Sequence, residues 1–317
     1  MIVVVCPGQG SQTPGFLAPW LEVPENASLI AEYSEAAGLD LAAHGTTSDA
    51  DTIRDTAVAQ PLIVAASILS LGAVLDGGRR EKVAGVAGHS VGELAAAAIA
   101  GVLTDDEALR LVAVRGAAMA RAAATTPTGM CAVLGGDPDE VLAALAEHGL
   151  VPANVNGGGQ VVAAGTLDAL AAFAAAPPTR ARVIALQVAG AFHTEHMAPA
   201  VAELRAAAED VTPGEPMVPL LTNSDGTVTA SGARALELIV AQVANPVRWD
   251  LCQSTLQSLG VTGLLEVAPG GVLTGLARRT LPGVETVAVK TPADLDAARD
   301  LVRRHTGAPE SHQEKSS

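Results

Sequence analysis

Aromatic side chains are scarce in this 317-residue chain, at 2% of the sequence, with three Phe, two Trp and one Tyr. A core must therefore be built from Ala, Val and Leu, and a hydrophobic content of 49% allows a large one. Positive charge is also short, with 19 Lys and Arg against 34 Asp and Glu, a net charge of −15. That balance argues against nonspecific nucleic-acid binding and against an anionic membrane surface. Cysteine is limited to Cys6, Cys131 and Cys252, odd in number and far apart. This spacing excludes a zinc cluster and fits a reduced compartment. The start, MIVVVCPGQG, lacks the basic region of a signal peptide. No apolar segment reads as long and continuous enough to span a bilayer, so a soluble, cytoplasmic protein is expected. The end, TGAPESHQEKSS (306–317), is polar and aperiodic and is expected to be a disordered tail.

Strand-like and helix-like segments alternate along most of the chain. IVVVC (2–6) reads as a buried strand that runs into a glycine-rich loop, PGQGSQTPG. TAVAQPLIVAASILSLGAVL (56–75) reads as a buried helix with Pro61 near its start. TDDEALRLVAVRGAAMARAAA (104–124) is a further helix, with Thr104 as N-cap and three acids at its positive end. Residues 125–190 break the pattern, reading β-α-β-β-α-β, the split ferredoxin-like order. RVIALQVAG is its last strand. A helix over about 195–209 and strands at VPLLTN, GLLEVAPGG and VETVAVK follow. The predicted fold is α/β: a hydrolase-like core (1–124 and 191–305) with a mostly parallel sheet, carrying an inserted ferredoxin-like subdomain (125–190). No internal repeat or low-complexity linker is evident.

AGHSVGE (87–93) sits between an apolar run and a helix-like run. Gly-x-Ser-x-Gly between a strand and a helix makes a turn so tight that the serine stands at its apex, which makes Ser90 a candidate nucleophile. The plainer alternative is a strand-to-helix turn with a capping serine. A serine nucleophile needs a base. His44, His148, His305 and His312 have no chemical surroundings, and His89 adjoins the serine but should point away from it. His193, in VAGAFHTEHM, follows a strand where the inserted unit rejoins the core, a place where sites form. The alternative is an ordinary loop histidine. His193 and His196 lie three apart, but no His-Glu-x-x-His or third ligand supports a metal site.

The backbone N–H of Val91, after the nucleophile, is the expected first oxyanion donor. The PGQGSQ loop is the natural source of a second, which singles out Gln9. A dinucleotide fingerprint in that loop is the rival reading, but Gly8, Gly10 and Gly15 do not fit Gly-x-Gly-x-x-Gly. Arg115 lies on an otherwise apolar helix stretch. It either pairs with an internal acid or waits for a substrate carboxylate in bidentate fashion.

GQGSQTPGF, TAVAQPLIVAAS, GHSVGE, the VRGAAM arginine, ANVNGGGQVVAAG, GAFH and QVANPVRW occur here in order. Over about residues 1–300 the chain resembles the malonyl-CoA:acyl-carrier-protein transacylases, enzymes of type II fatty-acid and polyketide synthesis. The resemblance implies transfer of a malonyl group from malonyl-CoA to holo acyl carrier protein through a malonyl-serine intermediate, as an S-malonyltransferase with no cofactor. It implies Ser90 as nucleophile, His193 as base, and the backbone carbonyl of Gln242 as the group that orients the imidazole. Arg115 would hold the malonyl carboxylate, and Gln9 and Val91 the oxyanion. Asn156 and Asn154 would line the cleft, His89 would support it, and Phe192 belongs to the GAFH stretch. Gly190 stands where many malonyl-type members carry a histidine, which predicts weaker exclusion of larger acyl groups. A monomer is expected.

Two other activities fit parts of the pattern. One is a serine thioesterase or hydrolase with Glu195 or Asp225 completing a triad, which leaves Arg115 without a role. The other is an acyltransferase for another extender unit such as methylmalonyl. Acidic carrier proteins would be repelled by the net charge unless a local basic patch overrides it. The candidates are Arg79, Arg80, Lys82, Arg180, Arg182, Arg278 and Arg279.

Overall fold

A computed structural model of the protein describes residues 1–76 and 83–306. The expected tail and the basic residues Arg79, Arg80 and Lys82 lie outside the described residues, apart from Thr306.

The chain begins with β1 (Ile2–Cys6), whose side chains are buried throughout, and then forms α1 (Ala18–Leu21), α2 (Pro24–Ala37) and α3 (Leu41–Thr46). The buried helix α4 (Thr56–Leu75) follows, then β2 (Gly85–Gly88), α5 (Gly92–Ala100) and α6 (Asp105–Ala123). Next come β3 (Thr128–Gly135), α7 (Pro138–Glu147), β4 (Val151–Gly157), β5 (Gln160–Thr166), α8 (Leu167–Ala175) and β6 (Ala181–Ala185). The remainder is α9 (Ala198–Ala208), β7 (Leu220–Leu221), α10 (Gly232–Gln242), β8 (Val247–Arg248), α11 (Trp249–Ser258), β9 (Gly263–Glu266), α12 (Val272–Thr280), β10 (Glu285–Ala288) and α13 (Leu295–Thr306).

Two five-stranded sheets result. The first, β10-β9-β1-β2-β7, is parallel at every pairing. A parallel sheet needs both faces covered, and its strands β1 and β2 are accordingly continuous, fully buried apolar runs. The second, β6-β3-β5-β4-β8, sets the fourth strand of the β-α-β-β-α-β unit beside the first and the third beside the second, the ferredoxin-like arrangement. This sheet takes its edge strand β8 from beyond residue 190: Asn154 pairs with Val247 and Val155 with Arg248, in parallel. The chain thus crosses between the two sheets at β8.

Several expectations need correction. Pro61 lies inside α4 rather than near its start, because the Asp55 side chain caps the helix from the Ala57 N–H at 2.8 Å. Pro61 has no N–H to return to the Ala57 carbonyl, and packing on all sides sustains the helix there. α4 is also long and apolar enough to cross a membrane by length and composition, contrary to the reading above. It is instead a core helix, buried along most of its length and packed against α5 and α6. The strand expected over RVIALQVAG ends at Ala185, and Leu186 to Val188 leave the sheet to line a cleft. The helix from 195 opens as a 3-10 turn, Glu195–Met197, before α9.

Thr104 caps α6 as expected. Its hydroxyl accepts from the Glu107 N–H, while the Glu107 carboxylate accepts from the Thr104 N–H, a reciprocal pair that satisfies two orphan donors. This fixes the start of the helix that carries Arg115.

Candidate active site

The site grows from the carboxyl ends of β1 and β2. Cys6 and Gly88 are register partners in these parallel strands, so the loops Pro7 to Gly15 and His89 to Ser90 leave the sheet at one level. The His89 N–H donates to the Cys6 carbonyl at 2.9 Å and closes the approach. Ser90 then turns into α5 with φ 54°, a left-handed conformation. The flanking glycines are steric necessities. A β-carbon on Gly88 would lie 2.0 Å from the Gly92 carbonyl carbon, and one on Gly92 would lie 2.3 Å from the Cys6 carbonyl oxygen. Gly-x-Ser-x-Gly is therefore what lets the turn fit against β1.

Ser90 Oγ stands 2.7 Å from His193 Nε2 and 3.4 Å from Arg115 Nη2. His193 is buried, also in a left-handed conformation at φ 60°. Its Nδ1 lies 2.9 Å from the backbone carbonyl of Gln242. A carbonyl only accepts, so Nδ1 carries the proton and Nε2 presents a lone pair to the serine hydroxyl. Burial above all, then the Arg115 charge, pushes the imidazole down to about 3, so it is neutral near pH 7.

Neither acid proposed for a triad reaches His193. Asp225 accepts from the Thr227 N–H and hydroxyl, and Glu195 opens the 3-10 turn.

Arg115 is 1% exposed. Its Nη1 donates to Gln60 Oε1 at 2.7 Å and its Nη2 to Gln242 Oε1 at 2.9 Å. Among the described residues it makes no direct ion pair, and its Nε has no partner. Burying a guanidinium without a counter-charge is costly, and burial holds this one down to about 10. The opposing charge is Glu93, reached through Gln242: Gln242 Nε2 donates to Glu93 Oε2. Burial pushes the Glu93 carboxyl up to about 7, against the N–H of Asn223 and the Arg115 charge.

Asn223, just beyond β7, ties the elbow from behind. Its Oδ1 accepts from the Ser90 N–H at 2.8 Å and its Nδ2 donates to the Gly88 carbonyl at 2.7 Å.

The cleft above these groups has a volume of about 210 Å3. Gln9, His89, Ser90, Asn154, Asn156, Phe192 and His193 all line it. His89 Nε2 lies 2.9 Å from Asn156 Oδ1, and its ring meets Trp249 edge-on at 5.6 Å, so it braces the wall between the two sheets. Val91 is fully buried at the first turn of α5, and among the described residues neither its N–H nor that of Gln9 has a protein acceptor. Gly190 is not part of the lining. A β-carbon there would point at Ala123, 2.7 Å from its β-carbon, so the direction from this position is into α6 and not into the cleft.

Gln60, Glu93 and Asn223 were missed in the sequence. Gln60 and Glu93 had a readable signal, since Glu93 is the one polar side chain of α5 and Gln60 the one amide side chain of the buried α4. Asn223 had none, because its role depends on the pairing of β7 with β2.

The acyl transferase domain family matches residues 3–304. The malonyl CoA-acyl carrier protein transacylase of Mycobacterium tuberculosis H37Rv is 55% identical over 305 residues, which cover 95% of this chain and 100% of that one. The enzyme of the same name from Escherichia coli K12 is 35% identical over 304 residues, 94% of this chain and 98% of that one. The crystal structure of MCAT from Mycobacterium tuberculosis superposes with a TM-score of 0.90 at 54% identity, covering 94% of this chain and 99% of that one. A malonyl-transacylase in complex with a type II PKS acyl-carrier protein superposes with a TM-score of 0.87 at 33% identity, covering 94% and 99%.

Proposed function

The chain belongs to the acyl transferase family and, within it, to the malonyl CoA-acyl carrier protein transacylases; from that premise we propose how its residues carry a malonyl group from malonyl-CoA to acyl carrier protein. The observation that carries the reading is the position of Ser90 Oγ, set between a neutral imidazole and a buried guanidinium.

His193 Nε2 takes the Ser90 proton as Oγ attacks the thioester carbonyl. The carbonyl oxygen becomes an oxyanion held by the N–H groups of Val91 and Gln9. One such donor is typically worth ~3–4 kcal/mol of barrier. The intermediate collapses as His193 gives its proton to the CoA sulfur, and CoA leaves as the thiol. The malonyl group then rests as an ester on Ser90. The phosphopantetheine thiol of holo acyl carrier protein attacks this ester, giving its proton to His193, which returns it to Ser90 Oγ as the ester bond breaks and Ser90 is regenerated. A thioester is exchanged for a thioester, so the reaction runs in both directions.

Arg115 meets the malonyl carboxylate, and its unpartnered Nε and its position beside Ser90 Oγ support that role. Asn154, Asn156, His89 and Phe192 shape the wall facing the thioester arm. The core (1–124 and 191–305) supplies nucleophile, base and clamp, and the ferredoxin-like subdomain (125–190) closes the cleft from the other side. The site is complete within one chain, which supports a monomer. The three cysteines are buried and unpaired, which fits the reducing cytoplasm.

Arg180, Arg182, Arg278 and Arg279 are the carrier-protein contacts in this reading. All four are exposed. Arg279 packs against Gly158 in the turn between β4 and β5, and Gly159 bonds Gly135, the register partner of Ala181 between the other two arginines. Arg278 and Arg279 lie in the last turn of α12, the helix whose Leu273 and Leu276 line the cleft, where basic charge would offset the acidic net charge for a carrier protein.

Incubation with malonyl-CoA and holo carrier protein tests the function. The carrier protein should gain the mass of one malonyl group. Free malonate with an unchanged carrier protein would mean hydrolysis.

A further inference from the structure

The cleft residues leave one ionisable group unused. Glu93, 3% exposed, is the second residue of α5, a helix otherwise made of Gly, Ala, Leu and Ile. A carboxylate does not sit in such a place without partners. Its Oε1 accepts from the Asn223 N–H and its Oε2 from Gln242 Nε2. Both oxygens accept from N–H donors here, so the carboxylate, ionised above about pH 7, fixes which end of the Gln242 amide faces it. With Nε2 turned to Glu93, Oε1 is turned to Arg115 Nη2, at 2.9 Å. The backbone carbonyl of the same Gln242 meets His193 Nδ1. One glutamine therefore serves both the guanidinium and the base; its Nε2 also reaches the Ser90 carbonyl and Asn223 Oδ1, each at 3.1 Å, and Glu93 is the charged acceptor among the three that set its direction.

We propose that Glu93 is a positioning residue for malonyl selection: it fixes the polarity of the Gln242 amide and thereby aims Arg115 at the acyl pocket. Glu93 also balances the buried guanidinium from one amide away. A direct carboxylate partner would occupy the donors that the substrate must meet. This inference rests on the reading of Arg115 as the clamp for the malonyl carboxylate.

The test is Glu93→Gln. It turns one acceptor into a donor: with the amide oxygen kept on the Asn223 N–H, the new NH2 group faces Gln242 Nε2, and a flip of Gln242 that relieves this contact points Nε2 at Arg115. Three rates are compared: loading from malonyl-CoA, loading from acetyl-CoA, and inactivation by a serine-directed sulfonyl fluoride. The last two need Ser90 and His193 but no carboxylate clamp. Glu93→Gln should lower kcat/KM for malonyl-CoA about tenfold or more, mainly through KM, as expected for a misdirected charged hydrogen bond. The acetyl and sulfonyl fluoride rates should stay within about twofold, as for an uncoupled site. In the Arg115→Ala background, Glu93→Gln should leave the malonyl-to-acetyl ratio unchanged. Equal loss of all three rates would overturn the proposal, since Glu93 would then only hold the elbow. A changed ratio in Arg115→Ala with none in Glu93→Gln would overturn this inference alone, and an unchanged ratio in Arg115→Ala would remove the clamp reading beneath it. Glu93→Asp keeps an acceptor-only side chain and carries the test if Glu93→Gln does not fold: it should keep a malonyl-to-acetyl ratio well above that of Arg115→Ala, and a ratio equal to that of Arg115→Ala, or all three rates lost alike, would overturn the proposal.

Discussion

Ser90 and His193 meet at 2.7 Å with both backbones in the left-handed region, at φ 54° and 60°. Neither is glycine, the residue that adopts this conformation freely. Such strain costs about 1–3 kcal/mol per residue and persists only where the surroundings hold it. Here Asn223 holds Ser90 through its N–H, and the Gln242 carbonyl holds His193 through Nδ1.

The elbow should fail sterically before it fails chemically. Gly88→Ala places a methyl 2.0 Å from the Gly92 carbonyl carbon, which is backbone and cannot step aside. It should cost about 3 kcal/mol or more, read from the urea midpoint, because overpacking is added to the turn. A variant within experimental error of wild type would contradict this account of the turn.

Arg115→Ala should remove malonyl preference. The malonyl carboxylate would enter a buried site without its partner, at a cost of about 2–5 kcal/mol, roughly 30-fold to several thousandfold in kcat/KM. Loading from acetyl-CoA, which has no such carboxylate, should gain relative to malonyl-CoA. Steady-state rates with the two thioesters check it.

The pH response follows from the buried imidazole. His193 is held down to about 3 from an ordinary value of 6.5. The base is thus free well below neutrality, and sulfonyl fluoride inactivation should be flat from about pH 5 to about pH 8. A sigmoid centred near the ordinary histidine value would contradict it. Stability moves the other way. The unfolded chain takes up the proton first, so the His193 contribution is complete above the unfolded value and is lost as the pH falls from about 6.5 toward 3. Denaturation midpoints in that window should fall less steeply in His193→Gln.

Gly190→Ala separates packing from selectivity. Its β-carbon meets Ala123 rather than the cleft. The variant should be destabilised by about 1–3 kcal/mol while keeping the wild-type ratio of malonyl-CoA to methylmalonyl-CoA use. A shifted ratio would show that this position does face the acyl group.

The sequence pattern disclosed the parts of the fold with strong local signals. The Ser90 elbow, the Thr104 cap and the strand-helix order of residues 125–190 each rest on neighbours in the chain. Residues 16–55 carry a weaker pattern: α2 buries only Ile30 and Tyr33 and so shows little periodicity. β8 is two residues long, and its place depends on pairing with β4. The Glu93–Gln242–Arg115 chain was invisible for the same reason: Gln242 lies 149 positions from Glu93 and 127 from Arg115, and only the packing of α5, α6 and α10 joins them. Arg115 itself stood out as one charge in an apolar stretch, but the sequence did not distinguish an internal acid from a substrate. The structure places the acid one amide away.

The most direct test of the account is the site of the covalent intermediate. Wild-type enzyme mixed with malonyl-CoA and quenched before carrier protein is added should carry one malonyl group, mapped by peptide mass spectrometry to Ser90. The adduct should vanish on addition of holo carrier protein and be absent in Ser90→Ala. An adduct on any other residue, or transfer to the carrier protein by Ser90→Ala at the wild-type rate, would contradict it.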